Sequence, residues 1–258
     1  LIGQMPGVKN AFEACVFTFG IVQGGGAGKL LADIIVEGEP ETDSWAVDPR
    51  RYTNHVDLEY TKAKAIETYS HEYAMHFPQI QWPAGRPAKV SPIYDSLIKA
   101  GAVMGSYGGW ERADWFTNNE SLKKPANSYD RQHWFDDVSK ECNHVAEHCG
   151  VIDLTGFSRF EISGEGTSQW LETLITGRLP KIGKVGLVYF SSHKGKVLTE
   201  MTATRISEDH IWLLTGAGAY WHDRDWLNFN LPESSNIKIV DTTHDLGTML
   251  LTGPKSDL

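Results

Sequence analysis

Apolar positions along the chain change period several times, and each change marks a predicted element. Residues 8–22 are rich in Val, Phe, Ala and Ile, then come Gly24, Gly25, Gly26, Ala27 and Gly28, then Leu30, Leu31, Ile34 and Ile35 at helical spacing. That order predicts a strand, a glycine turn and a helix. A second helix is predicted from Leu58 to about Tyr73, where Lys62, Ala65, Ile66 and Tyr69 recur at helical spacing. Ser91 before Pro92 reads as a cap with proline in the first helical position, opening a helix through Tyr94, Leu97 and Ile98. Further on, a helix over 134–148 gives way to short alternating segments at 157–162, 186–190, 197–206, 210–215 and 237–241, which are predicted strands. Helices over 167–174 and 220–229 interrupt them. Strands and helices mix without a regular strand–helix–strand beat, so the fold class is α+β rather than doubly wound.

Breaks in the pattern organise the chain. Residues 37–52 are charged and contain Pro40 and Pro49, as expected of a surface-wrapped connection. The stretch 78–87 holds too many prolines for regular structure. Residues 117–131 (TNNESLKKPANSYDR) are polar and carry Pro125, which marks them as a linker between domains. With 258 residues, 41% of them hydrophobic, the chain has enough apolar material for more than one core. A net charge of -9 with scattered Lys and Arg leaves no basic stripe for phosphates, which excludes nucleic acid as a partner. No apolar run reaches the roughly 18 to 20 residues of a spanning helix, so no membrane role is expected. Cys15, Cys142 and Cys149 are an odd number in a large chain, which points to a reducing compartment rather than a disulfide framework. A start at Leu1 and an end just after Met249, Leu250 and Leu251 read as cuts in something longer.

Several motifs can be tested against their chemistry. A phosphate-binding loop ending at Gly28 and Lys29 would need Gly at Gln23 and Ser or Thr at Leu30. A dinucleotide fingerprint from Gly24 would need Gly at Lys29. Both fail, so the glycine segment is not a primary diphosphate site. A glycine-preceded helix start still offers bare N–H groups and a positive dipole end, suited to an electron-rich ring edge; a plain tight turn is the alternative. Cys142, His144, His148 and Cys149 supply metal-type ligands, yet on one helix the cysteines share a side opposite the histidines, so no metal site is expected. No Ser-His-Asp or Cys-His order has a second supporting signal. Trp110, Trp115 and Phe116 form an aromatic cluster around Glu111 and Arg112, and Arg86 is a candidate partner for an acid such as Glu111.

The strings FGIVQGGGAGKLLADIIVEGEP, DPRRY, PAGRP, SPIYDSL, GGWERADWF, GVIDLTGFSRFEISG, LPKIGKVG and GKVLTEMTATR follow one another along nearly the whole chain. In that order they resemble the flavin-dependent dimethylglycine and sarcosine dehydrogenase family. The resemblance implies an internal fragment. Residues 1–52 would be the C-terminal tail of a FAD oxidoreductase domain and 53–116 a small connector domain. Residues 117–131 would be the linker and 132–258 the first half of an aminomethyltransferase-type, glycine-cleavage T-protein-like folate-binding domain. The family's flavin-linking histidine and dinucleotide glycines would precede Leu1, so this chain alone is not expected to oxidise a substrate.

The implied activity is oxidative demethylation of a small N-methyl amine on FAD, with the one-carbon unit passed to tetrahydrofolate. Carried over by position, Gly20, Gly24, Gly25, Gly26 and Gly28 would pass the flavin ring. Phe19 stands before Gly20 where many members have His or Tyr, which removes a polar contact there. Glu200 takes the place of the Asp that meets the reactive folate nitrogen in aminomethyltransferases, and its carboxylate would orient or deprotonate that nitrogen. A solvated strand Glu is the alternative. Tyr189, on the preceding strand, would line the pterin slot or pack in the core. The amine and folate are the expected partners, in a bacterial cytoplasm or a mitochondrial matrix, with the oligomeric state open. Two other readings remain: a non-catalytic regulatory relative, as in a mitochondrial phosphatase subunit, and a stand-alone folate-dependent aminomethyltransferase, which residues 1–50 disfavour.

Overall fold

A computed structural model describes residues 1–15, 20–124 and 126–257. The first half carries β1 (Ile2–Gln4), β2 (Phe12–Ala14), α1 (Ile21–Glu37), α2 (Leu58–Ser70), α3 (Tyr94–Lys99), β3 (Ala102–Tyr107), β4 (Trp110–Phe116) and α4 (Phe135–Glu147). The second half carries β5 (Gly150–Asp153), β6 (Ser158–Ser163), α5 (Thr167–Leu174), β7 (Ile175–Thr176), β8 (Lys184–Ser191), β9 (Val197–Ser207), β10 (His210–Thr215), α6 (Tyr220–Phe229), β11 (Lys238–Asp241) and β12 (Met249–Thr252). They form two compact units. Unit 1 combines Leu1–Thr53 with Ser158–Thr242, and unit 2 combines Asn54–Phe157 with Thr243–Leu258.

Unit 1 is built on an antiparallel sheet of order β11-β6-β10-β9-β8-β7. Alternation sends every second side chain to one face. Val188, Phe190, Met201, Ala203, Ile211, Leu213, Phe160 and Ile162 are buried there in one cluster with Trp170 and Leu171 of α5 and Leu227 of α6. A fully buried carboxylate ties α6 to the sheet. Asp223 Oδ2 accepts from Thr199 Oγ1 of β9 at 3.1 Å and from Thr215 Oγ1 of β10, and Oδ1 accepts from His222 Nδ1 at 2.9 Å. Three partners satisfy a group whose burial would otherwise cost several kcal/mol.

The start of unit 1 differs from the sequence expectation. Of the strand expected over 8–22, only Phe12–Ala14 is strand, paired with β1, and residues 16–19, including Phe19, lie outside the described set. The glycine turn expected at Gly24–Gly28 is not a turn. The reversal falls at Gly20, with φ 53°, and Gly24, Gly25, Gly26 and Gly28 lie inside α1. Glycine is tolerated in a helix at about 1 kcal/mol per residue, so a glycine run does not force a turn unless the path needs positive φ.

In unit 2, β3 and β4 pair through Gly108 and Gly109, whose φ values of 58° and 83° supply the left-handed conformation of a two-residue hairpin loop. Arg86 closes under this hairpin: Nε donates to Glu111 Oε1 at 2.8 Å, and Nη2 to Glu111 Oε2 at 2.6 Å and to the Met104 carbonyl at 2.8 Å. The pairing raised for Arg86 on sequence grounds is therefore present, as a bidentate fork. The helix expected from Pro92 starts later, at Tyr94. Its amide donates to the Ser91 carbonyl at 3.1 Å, while the Ser91 hydroxyl, expected as the cap, is buried instead. The stretch 117–131 folds onto unit 2: Glu120–Lys123 makes a 3-10 turn, the Tyr129 ring lies 4.9 Å from that of Phe77, and its hydroxyl donates to the His76 carbonyl at 2.7 Å.

His55 packs edge-on against Tyr60 and beside Gly109, where any Cβ would collide with its ring. Burial, aided by Lys89, lowers its pKa from 6.5 to about 4. The unfolded chain takes up this proton below pH 6.5 while the folded chain resists it. Stability contributed by neutral His55 is thus complete above pH 6.5 and is lost as pH falls towards about 4. Thermal midpoints measured across that window are expected to fall less steeply in His55→Phe than in the wild type.

Candidate functional site

The strand register of β8 and β9 sets Tyr189 directly opposite Glu200. Both point to the face of the sheet away from the buried cluster. The Glu200 carboxylate facing the phenol holds the Tyr189 pKa above its usual value. Tyr189 is 40% exposed, so it does not pack in the core. Behind the pair the same face continues in rows: Leu187 opposite Thr202 and Leu214, then Val185 opposite Thr204 and Trp212. Val185 is 63% and Leu187 58% exposed, which makes this an open apolar strip ending in a carboxylate. A flat heterocycle can lie on such a strip while its edge N–H groups meet Glu200. The sequence reading named the pair but missed Leu187, Thr202 and Trp212. Alternation was the available signal, since Leu187 stands two positions from Tyr189 and Thr202 two from Glu200.

The glycines occupy a different element. α1 packs on β1 and β2, whereas Tyr189 and Glu200 belong to β8 and β9. The N-terminus of α1 has no side-chain cap among the described residues and no acidic residue in its first turn to offset its positive dipole end. A Cβ built on Gly24, Gly25, Gly26 or Gly28 meets nothing within 4 Å, so this backbone faces open space. An anionic or electron-rich ring edge suits that surface. At the end of α4, His144 stacks with His148, the residue following the helix, at 4.8 Å, and Lys255 Nζ donates to His148 Nδ1 at 2.8 Å. Among the described residues no three His, Cys, Asp or Glu side chains come together as a metal site, and no helix is long and apolar enough to cross a membrane.

Residues 93–258, well over half of the chain, match the GCVT N-terminal domain. The chain belongs to this family. Residues 37–91 match the FAD dependent oxidoreductase central domain, so the GCVT region here follows an oxidoreductase segment. The GCVT-family chain is 34% identical over 256 residues to mitochondrial dimethylglycine dehydrogenase of Mus musculus, covering 98% of this chain and 29% of that protein. It is 27% identical over 264 residues to the mitochondrial pyruvate dehydrogenase phosphatase regulatory subunit of the same species, covering 99% of this chain and 30% of that one. The chain therefore spans about 30% of the length of these relatives. Among solved structures, the glycine cleavage system aminomethyltransferase T of Bartonella henselae aligns with a TM-score of 0.52 at 22% identity, covering 65% of this chain and 41% of that one. That likeness shows the fold. The resemblance to dimethylglycine and sarcosine dehydrogenases thus holds along the chain, in an α+β fold, and the two matched domains imply FAD and folate in the family.

Proposed function

We propose that this chain is part of a flavin-dependent dehydrogenase of a small N-methyl amine, in which unit 1 presents tetrahydrofolate to the one-carbon product. The observation that carries the reading is the Tyr189–Glu200 pair at the end of an open apolar strip, on a sheet of GCVT type. Glu200 accepts the N–H of the reactive folate nitrogen, orienting it and taking up its proton. Tyr189 stands beside that carboxylate as its cross-strand partner. Leu187 and Val185 support the ring and shed water from it. FAD, when bound, supplies the two-electron oxidation of the amine. The N-terminus of α1 after Gly20, with Gly24, Gly25, Gly26 and Gly28 behind it, would hold the flavin ring edge and favour negative charge there. Keeping both sites in one protein holds a reactive formaldehyde-level product near its acceptor. The amine and folate are the partners in this reading, and the mitochondrial names of the relatives favour a matrix location in a eukaryotic cell.

Calorimetric titration of tetrahydrofolate into the full-length protein tests it. Binding is expected, and Glu200→Gln is expected to raise Kd about tenfold, since a hydrogen bond to a charged group contributes about 1.5–3 kcal/mol. The likeness to a phosphatase regulatory subunit supports a second reading, a non-catalytic relative. Absence of folate binding in the full-length protein would favour that one.

A further inference from the structure

The turn joining β8 to β9 in unit 1 holds two lysines in place. The Ser192 amide donates to the Lys196 carbonyl at 2.8 Å and the Gly195 amide to the Ser192 carbonyl at 2.9 Å, with Gly195 at φ 75°. The buried Ser192 hydroxyl accepts from the Lys194 and Lys196 amides at 3.2 and 3.3 Å. A serine that bonds its own turn in this way fixes the backbone, and with it the direction of the side chains on either side of Gly195. Both lysines reach the same short stretch of unit 1.

That stretch runs from Glu37, the last residue of α1, to Glu41, and its acids alternate as Glu37, Glu39 and Glu41. Gly38 ends the helix with φ 79°, its amide donating to the Ile34 carbonyl at 3.1 Å, so the chain leaves α1 in a defined direction. Lys194 Nζ lies 3.6 Å from Glu37 Oε2 and 3.9 Å from Glu39 Oε1. Lys196 Nζ donates to the Pro40 and Glu41 carbonyls at 3.4 and 3.2 Å. Lys29 of α1 completes the set, 3.7 Å from Glu41 Oε2 and 2.6 Å from Asp33 Oδ2. One exposed ion pair contributes little, but several charges joined in a network contribute more, and added salt screens them.

We infer that residues 37–41 and the β8–β9 turn form a salt-sensitive ionic clasp, which joins the start of the segment matching the oxidoreductase central domain to the hairpin that carries Tyr189 and Glu200. Its consequence lies in the strand register. Leu198 is the extra residue of a β-bulge, since Phe190 pairs with Thr199 and Ser191 with Val197. An irregular ladder is where one strand can slide past the other, and the clasp holds the tip just beyond that point. A held tip keeps Glu200 opposite Tyr189. The effect on folate rests on the function proposed above, whereas the clasp itself does not.

The test is amide hydrogen exchange by mass spectrometry on the 258-residue chain, at about 0.01 M and about 1 M sodium chloride, where the screening length falls from about 30 Å to about 3 Å. At low salt, Lys194→Glu is expected to speed exchange in peptides covering 34–42 and 188–200 about three- to tenfold, with β6 unchanged. The charge swap Lys194→Glu, Glu37→Lys, Glu39→Lys should restore slow exchange, and high salt should speed the wild type in the same two peptides. Unchanged exchange in Lys194→Glu, or no recovery in the swap, overturns the clasp. In the full-length protein, Lys194→Glu is expected to raise the Kd for tetrahydrofolate about threefold, and the swap to return it. Fast exchange with an unaltered Kd overturns the hold on the register. A wild type that binds no tetrahydrofolate removes the folate reading instead, and the exchange result alone then decides the clasp.

Discussion

Glu111→Ala is expected to destabilise unit 2 by about 3–5 kcal/mol, the usual cost of removing one partner from a buried ion pair. The Glu111 side chain is 3% exposed and that of Arg86 16%, so the substitution leaves a guanidinium with little access to water. Both carboxylate oxygens are used, and only the Met104 carbonyl would remain to Arg86 Nη2. Glu111→Gln keeps the side-chain volume and one acceptor and should cost less. The double variant Arg86→Met, Glu111→Leu should recover most of the loss, because an apolar pair of similar size avoids the buried charge altogether. Denaturant unfolding of the four proteins checks the order. Equal stability of Glu111→Ala and the wild type would show that the pair holds nothing together.

Phe190→Ala should cost unit 1 a similar amount, about 3–5 kcal/mol. Phe190 is fully buried on β8, opposite Thr199 of β9 and Ile175 of β7, in the cluster that α5 and α6 cover. Truncation leaves a void among Val188, Met201 and Leu171 that a packed sheet cannot close. Leu187, three positions earlier on the same strand and 58% exposed, provides the internal control. Leu187→Ala should change stability by less than about 0.5 kcal/mol. Unfolding midpoints separate the two. The folate reading adds a consequence: Phe190 backs the strand position next to Tyr189, so its loss should loosen the Tyr189–Glu200 pair, whereas Leu187→Ala should weaken folate binding directly through lost ring contact.

A local period is a property of adjacent residues, and it was legible throughout the sheet. The strands expected at 186–190, 197–206, 210–215 and 237–241 and the helices at 167–174 and 220–229 stand within two residues of β8 to β11, α5 and α6. Here alternation, burial and propensity agree. They disagree at the glycines, where composition suggested a turn but only Gly20 needs positive φ. They disagree again at Ser91, whose hydroxyl is buried rather than capping a helix. The β3–β4 hairpin was hidden because its strands carry charged residues at Glu111, Arg112 and Asp114, and two of those are used inward by Arg86 and by the bulge.

The candidate site divides in the same way. Glu200 and Tyr189 were visible as residues, through the likeness of GKVLTEMTATR and the strand before it. Their pairing depends on the register around Gly195, and a slip of one position in β9 would turn Glu200 towards the core and away from Tyr189. What the sequence by itself determined about this protein is its family, its α+β class and the periodic elements of unit 1, because those rest on local order. Only the tertiary structure decided which side chains face each other and which charges are buried, because these depend on residues far apart in the chain.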